Sequence, residues 1–337
     1  MRKITKNFLL TTALISILGI VIFGLCGCSE KQIFENFNNK EFITNTYEID
    51  EYFNHIAIST DTTDILFEKS EDGKCKVVCY EEKTMTHSVS VDSDTLFIDF
   101  DESKKLSGFI KPLVEKAKIT VYLPDDTYSL FIKGSTGNIK IPESMHFTSS
   151  NITISTGNIN FSATSNSVVI VASTGDVELN NTASDQIKVD VSTGNITLKD
   201  LLSSSIVLST STGSIKVSDV IVDGDISTDV TTGDVHFTNI NCNNLLSTGT
   251  SGHVELNNVI AKEKLNVTRT TGDVNLKSAD AEEVFIKTST GNVKGSFLTN
   301  KIFIVRTSTG DIDVPGSISG GKCEITTTTG DIKISFD

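Results

Sequence analysis

Apolar and polar residues alternate in a fixed pattern around one recurring glycine in the C-terminal part of the chain. Two residues after this glycine the chain always has Ile or Val. Four residues after it, ten of eleven positions are apolar, and Gly295 is the exception. The position between them varies freely, as Lys140, Asn160 and Glu178 illustrate. Period-two alternation on β-branched residues predicts short β-strands rather than helices.

The glycine belongs to a phrase of Ser or Thr, then Thr, Gly, usually Asn or Asp, then Ile or Val, such as STGNI at residues 135–139. The phrase recurs at intervals of 18 to 20 residues. Its eleven glycines are Gly137, Gly157, Gly175, Gly194, Gly213, Gly233, Gly252, Gly272, Gly291, Gly310 and Gly330. A period this constant is typical of solenoids, in which each repeat forms one turn stacked on the next. We therefore predict an all-β, parallel β-helix-like solenoid of about eleven regular turns.

Two further columns support this interpretation. An apolar column lies five residues before the glycine and is broken only by Thr228 and Ser247. A second corner is predicted six residues after the glycine, at Asn181, Asp200, Asp219, Asn239 and Asn258. Glycine suits corners that need positive φ, and Asn or Asp tolerates sharp bends, so the eleven glycines are predicted to be structural corner residues. A β-sandwich is the alternative, but hairpin loops vary more in length than these corners do.

Residues 1–27 are predicted to be a signal peptide. Three basic residues precede an uncharged apolar run at residues 8–25, which closes with the sequence LCGC. This closing sequence resembles a bacterial lipobox, so Cys28 is the predicted lipidation site. The alternative is an uncleaved membrane anchor, since a run of 18 such residues can nearly span a bilayer. Both interpretations place the rest of the chain in the cell envelope, outside the cytoplasm and attached to a membrane.

The remaining chain divides by the regularity of its pattern. We predict a lipid-anchored tether at residues 28–44, an irregular β-rich N-terminal cap at 45–126 and the regular β-solenoid at 127–337. Within the cap, residues 64–67 (DILF) resemble a degenerate copy of the repeat, and residues 103–118 interrupt the strands with a loop or short helix. The chain stops seven residues after the last motif glycine. This predicts that Ile332, Ile334 and Phe336 lie near an open sheet edge.

The charge balance narrows the range of partners. The formal net charge is −14, and removing the three basic residues of the signal peptide takes it to −17. A chain this acidic, without a basic patch, is not expected to bind nucleic acid. Cys75, Cys79, Cys242 and Cys323 are predicted to be free and mostly buried, because their spacing does not favour disulfides. No cofactor is expected.

The residue after each motif glycine is mostly Asn or Asp, which makes calcium worth considering. Calcium sites need several oxygen ligands around one ion, whereas the acids here are mostly interleaved with neutral residues. Only Asp311 and Asp331 fall in adjacent repeats, so they are the only candidates for an ion. We prefer to interpret the column as a structural ladder of hydrogen-bonded corners.

Catalysis is not predicted. Polysaccharide lyases and hydrolases on parallel β-helices need acids and basic residues that converge in a groove built by long loops. The repeats here have nearly equal lengths, and Arg269 and Arg306 are the only arginines after the signal peptide. The five histidines are scattered along the chain. The sequence thus favours a protein that presents a non-catalytic surface over an enzyme.

The T-G-[ND]-[IV] corners, the lead-in KITVYLP at residues 118–124 and the N-terminal anchor resemble the "putative adhesin" family of bacterial envelope β-solenoids. The resemblance covers roughly residues 45–337. It implies a parallel β-helix-like fold, an extracytoplasmic location and a role in adhesion or envelope-stress sensing, with no catalytic residues to carry over. We expect a non-catalytic lipoprotein whose solenoid surface binds a cell-surface polymer or protein. The alternatives are an envelope-stress or signalling accessory acting through a partner and, after it, a polysaccharide-active enzyme.

Overall fold

The computed structural model describes residues 41–100 and 117–337, which form strands joined by turns, without a helix. The strands are β1 (Phe42–Ile49), β2 (His55–Lys69), β3 (Cys75–Glu82), β4 (His87–Asp92), β5 (Thr95–Phe100), β6 (Ala117–Leu123), β7 (Thr127–Thr136), β8 (Ile139–Ile141), β9 (His146–Thr156), β10 (Ile159–Phe161), β11 (Thr164–Ser165), β12 (Ser167–Thr174), β13 (Val177–Asn180), β14 (Ala183–Thr193), β15 (Ile196–Thr212), β16 (Ile215–Val222), β17 (Asp225–Thr232), β18 (Val235–Ser251), β19 (Val254–Thr271), β20 (Val274–Ala279), β21 (Glu283–Lys287), β22 (Val293–Phe297), β23 (Lys301–Arg306), β24 (Ile312–Asp313), β25 (Gly321–Thr326) and β26 (Ile332–Phe336). The predicted signal peptide and Cys28 lie outside the described residues.

Successive repeats pair in parallel and in register. Ile159 of β10 lies between Ile139 of β8 and Val177 of β13, and the same column continues through Ile196 of β15. The side chains of this column point inward and are buried, because every second residue of a strand faces the same side. A β-sandwich would join these strands in antiparallel pairs. The predicted all-β, parallel solenoid is therefore confirmed.

The second corner lies where the sequence predicts it. All five predicted residues, from Asn181 to Asn258, have left-handed backbones with φ between 53° and 57°. Ser278, six residues after the next motif glycine, adopts the same conformation with φ of 54°. The sequence did not indicate it, because Ser favours this region of φ less than Asn and Asp do.

The last two repeats are stacked in the reverse of their chain order. Strand β25 lies between β21 and β23, and β26 lies between β22 and β24. Ile332 and Ile334 are therefore buried, and the prediction that they lie near the open edge is wrong. The terminal layer is instead β23 with β24, where Ile302, Ile304 and Ile312 are exposed. The chain runs out to this layer and then returns to fill the one beneath it.

The N-terminal end has the same kind of reversal. Strand β2 pairs with β7 and β8 on one side and with β5 and β6 on the other, so the first turn of the chain is the second layer of the stack. Ile65 pairs with Ile139, which confirms that DILF at residues 64–67 is a copy of the repeat. Antiparallel strands then close this end: β4 pairs with β5, β3 with β6 and β1 with β3.

Candidate functional site

The motif glycines form one column of corners with no room for a side chain. All eleven have φ between 131° and 155°, which L-residues with a Cβ rarely adopt. A Cβ atom on Gly157 would lie 1.9 Å from the carbonyl oxygen of Gly137 in the adjacent layer. The corner therefore needs glycine for two reasons, its backbone conformation and the closeness of the next corner.

The residues after these glycines form a hydrogen-bonded ladder. The backbone N–H of Asn158 donates to Oδ1 of Asn138 at 3.0 Å, and that of Asp176 donates to Oδ1 of Asn158 at 2.9 Å. His253 takes part through Nδ1, which accepts the N–H of Asp273 at 3.1 Å. With Asp64 of the degenerate copy counted as a twelfth corner, ten of the eleven steps between adjacent corners carry such a bond. The predicted structural ladder is therefore confirmed.

Asp311 and Asp331, the two candidates for an ion, are members of this ladder. Oδ1 of Asp331 accepts the N–H of Asp311 at 3.1 Å, and Nζ of Lys333 lies 3.7 Å from Oδ2 of Asp331. The hydrogen bond from Asp311, more than the lysines nearby, holds the pKa of Asp331 below its usual value. Within the described ranges, no group of three or more His, Cys, Asp or Glu residues is placed to hold a metal ion.

The four cysteines of the described chain are free and buried, as predicted: Cys75, Cys79, Cys242 and Cys323. Burial raises the pKa of each thiol to about 12. The thiolate is the nucleophilic form of cysteine, and the raised pKa keeps these groups as thiols. The four side chains therefore act as small apolar core residues.

A buried chain of three polar side chains links the N-terminal strands. Oε2 of Glu81 lies 2.7 Å from Nδ1 of His87, and Nε2 of His87 lies 2.9 Å from Oγ1 of Thr60. The order carboxylate, imidazole, hydroxyl is that of a nucleophilic triad. The side chains of Glu81 and His87 are only 1% exposed, however, and Thr60 is buried beside them. In this buried position the three side chains satisfy one another's hydrogen-bonding groups. The spacing of these residues in the sequence could not have identified their contact.

Arg269, three residues before the motif glycine Gly272, lies inside the solenoid. It is 2% exposed, and burial lowers its pKa to about 10. Nη2 donates to Oγ of Ser247 at 3.2 Å, while Nε and Nη1 have no hydrogen-bond partner among the described residues. Thr228 donates to the same Ser247 oxygen at 3.0 Å. Thr228 and Ser247, the two breaks in the apolar column, thus form a buried polar cluster with Arg269 inside the rod.

Near the C-terminal end a shallow cleft of about 280 Å³ is lined by Ala261, Lys262, Glu282 and their neighbours. Lys301 also lines the cleft, and its side chain is 2% exposed. Its ammonium group donates to Asp280 and, at 2.7 Å, to Thr299. The positive charge of Lys301 is therefore paired with Asp280 within the fold.

One outward-facing column on the rod alternates strictly between apolar and polar residues. From β7 onward it lies six residues before the motif glycine, and its members pair in register from layer to layer. Beyond Phe131 the column continues as Ala57 of β2 and Phe97 of β5, where the alternation ends. In stacking order the residues are Phe131, Asn151, Val169, Lys188, Val207, Ser227, Leu246, Asn266, Phe285, Glu324 and Ile304. Phe131, Val207 and Leu246 are 48%, 42% and 38% exposed. We call this set the alternating column.

The Toastrack DUF4097 family model matches residues 53–238 and 205–337, which together are more than half of the chain. This match agrees with the family resemblance seen in the repeated corners. The structure of a "putative adhesin" from Bacteroides fragilis NCTC 9343 is 21% identical over 88% of this chain and 98% of that one, with a TM-score of 0.33.

Two structures from Parabacteroides distasonis ATCC 8503 are also similar, each over 88% of this chain and 98% of its own. One, a "putative adhesin", is 12% identical with a TM-score of 0.42. The other, described as a "putative lipid binding protein", is 17% identical with a TM-score of 0.40. The comparison with curated proteins finds no match. Among the described residues no helix is long and apolar enough to cross a membrane.

Proposed function

Because the chain belongs to the Toastrack DUF4097 family, we propose that it is a non-catalytic module of the cell envelope that displays its solenoid as an adhesin-like binding surface. The observation that supports this most is the uniformity of the rod. Its corners repeat at 18 to 20 residues and stack in one column, so the faces between them run uninterrupted along the rod. Such faces suit an extended ligand, because each layer presents the same positions to it.

The buried polar groups support a non-catalytic role. A general base or nucleophile must reach its substrate, whereas Glu81, His87 and Thr60 are enclosed by the N-terminal strands. The ladder acids accept backbone N–H groups of the neighbouring corner. The ladder acids and the Glu81–His87–Thr60 chain thus hold the fold together.

In this proposal the rod is fixed to the membrane through a lipid on Cys28 and stands outside the cytoplasm. The lipobox-like sequence before Cys28 supports the modification. The test is metabolic labelling of the full chain with a clickable fatty acid. Cys28→Ser should lose the label, whereas Cys26→Ser, two residues away, should keep it. A label that survives in Cys28→Ser would contradict the anchor.

The binding role is tested with the full chain purified in detergent and passed over cell-wall polymers, host glycans and matrix proteins. We expect saturable retention on at least one of them, with no product released. Released oligosaccharide would overturn the non-catalytic assignment. Retention on none of them, with stable co-purification of a membrane protein instead, would favour a signalling accessory over an adhesin-like module.

A further inference from the structure

We propose that the alternating column binds an extended β-1,4-linked glycan, with the polymer lying along the rod. This inference rests on the proposed function and names the class of ligand that the surface takes. Parallel layers are spaced about 4.8 Å apart. Because the apolar residues occur at every second layer, their spacing is about 10 Å.

That spacing suits a polymer whose structural unit is two sugars long. In an extended β-1,4-linked chain each sugar is turned over relative to its neighbour, so the same apolar C–H face recurs at every second sugar. The column offers an apolar contact at this interval, at Phe131, Val169 and Val207, and a polar residue between, at Asn151 and Lys188. From Phe131 to Ile304 the column spans ten layer steps, or about 50 Å, which is room for several disaccharides.

The columns on either side offer hydrogen bonds at the same layers. Two residues before the column, the first five layers have Ser129, Ser149, Ser167, Gln186 and Ser205. Two residues after it, the same layers have Lys133, Thr153, Val171, Asp190 and Ser209, and all but Val171 can form hydrogen bonds through their side chains. Hydroxyl and amide groups can both donate and accept, as sugar hydroxyls do.

Charge also favours a neutral or weakly acidic polymer on this face. Among the fifteen outward positions of these five layers, the charged residues are Lys133, Lys188 and Asp190, which sum to +1. The chain as a whole carries −14. This face therefore lacks the negative charge that elsewhere would repel an acidic glycan.

A second exposed apolar pair provides a matched control. Leu202 and Ile221 lie on a different face, in adjacent layers, and are 59% and 51% exposed. Their spacing is one layer, about 4.8 Å, and does not match a disaccharide. Replacing them changes surface hydrophobicity by a similar amount without touching the alternating column.

The test measures binding of the full chain in detergent to cello- and N-acetylchito-oligosaccharides of two, four, six and eight sugars, by calorimetry. We expect affinity for at least one series to rise with each added disaccharide. The variant Phe131→Ser with Val169→Thr and Val207→Thr should bind at least tenfold more weakly. Leu202→Ser with Ile221→Thr should bind like the wild type, and maltohexaose, whose α-linkages coil, should bind poorly to all three.

Each other result overturns the inference. Unchanged affinity in the triple variant, with its thermal unfolding unchanged, would place the glycan elsewhere. Equal loss in the control pair would indicate non-specific hydrophobic contact. A lower molecular mass of the triple variant in light scattering, without glycan binding by the wild type, would show that the column joins two rods. If the wild type binds neither series but is retained on another envelope polymer, this inference fails while the proposed function stands.

Discussion

The Nη1 atom of Arg269 occupies the space beside Gly249 in the adjacent layer, where a Cβ atom on that glycine would lie only 2.0 Å from it. The same Cβ would lie 2.2 Å from the carbonyl oxygen of Val230. Gly249 has an ordinary φ, so the lack of a side chain there is a matter of packing. Gly249 thus leaves the space that the buried guanidinium of Arg269 occupies.

Gly249→Ala should therefore destabilise the fold, because the methyl group meets both a buried side chain and fixed backbone. We expect a loss of about 1–3 kcal/mol in the free energy of unfolding, measured by urea titration. Gly134→Ala is the control at the same position of another repeat, where the nearest atom would lie 3.6 Å away. Equal effects of the two substitutions would contradict the packing argument.

Arg269→Met should stabilise the protein. The substitution removes two buried nitrogens that have no hydrogen-bond partner in the part of the chain that the structure describes, and it leaves Thr228 bonded to Ser247. We expect the free energy of unfolding to increase by about 1–3 kcal/mol. Arg306→Met, on the exposed surface of the last layer, should change it by less than about 0.5 kcal/mol. A loss of stability in Arg269→Met would mean that the guanidinium has a partner after all.

The same buried arginine predicts a pH dependence at high pH. Burial lowers the pKa of Arg269 to about 10, whereas in the unfolded chain it keeps its usual, higher value. Above about pH 10 the folded chain releases a proton that the unfolded chain still holds, so stability rises with pH. The stability advantage of Arg269→Met over the wild type should therefore shrink between about pH 9 and about pH 11. A constant difference in urea unfolding would refute this.

Asp331→Ala should lower the melting temperature at neutral pH, because the N–H of Asp311 loses its acceptor. Asp331→Asn keeps an oxygen at that place and should lose less. The pKa of Asp331 is lowered in the fold, so its charged form stabilises above the unfolded pKa and stops doing so as the pH falls through the folded one. The gap between wild type and Asp331→Asn should close on acidification, as followed by thermal unfolding.

Gly157→Ala should prevent stable folding, because the new Cβ would lie 1.9 Å from the carbonyl oxygen of Gly137 at a φ of 144°. A loss beyond about 4 kcal/mol is expected for such a backbone overlap. Gly316→Ala, where a Cβ would meet nothing within 4 Å, should behave like the wild type. Circular dichroism of the soluble fraction distinguishes the two, and a well-folded Gly157→Ala would show that the corners can separate.

The sequence alone determined the conformation of each solenoid turn. The spacing of Gly137 and its ten copies predicts the parallel solenoid, and Asn181 and its equivalents predict the second corner, because both depend on local backbone conformation that short side chains permit. The Asn and Asp ladder also follows from the sequence, since residues at equal positions of a repeat must stack.

Only the tertiary structure decided which turn lies on which. Every turn presents the same strand edges and the same corner, so nothing in the motif distinguishes a neighbour in the chain from a neighbour in the stack. Ile332 is therefore buried and Ile312 exposed although both follow the same phrase. For a similar reason, the sequence does not reveal the hydrogen-bonded chain of Glu81, His87 and Thr60 or the interior position of Arg269. Their partners are brought close by pairing between strands, which period and composition do not specify.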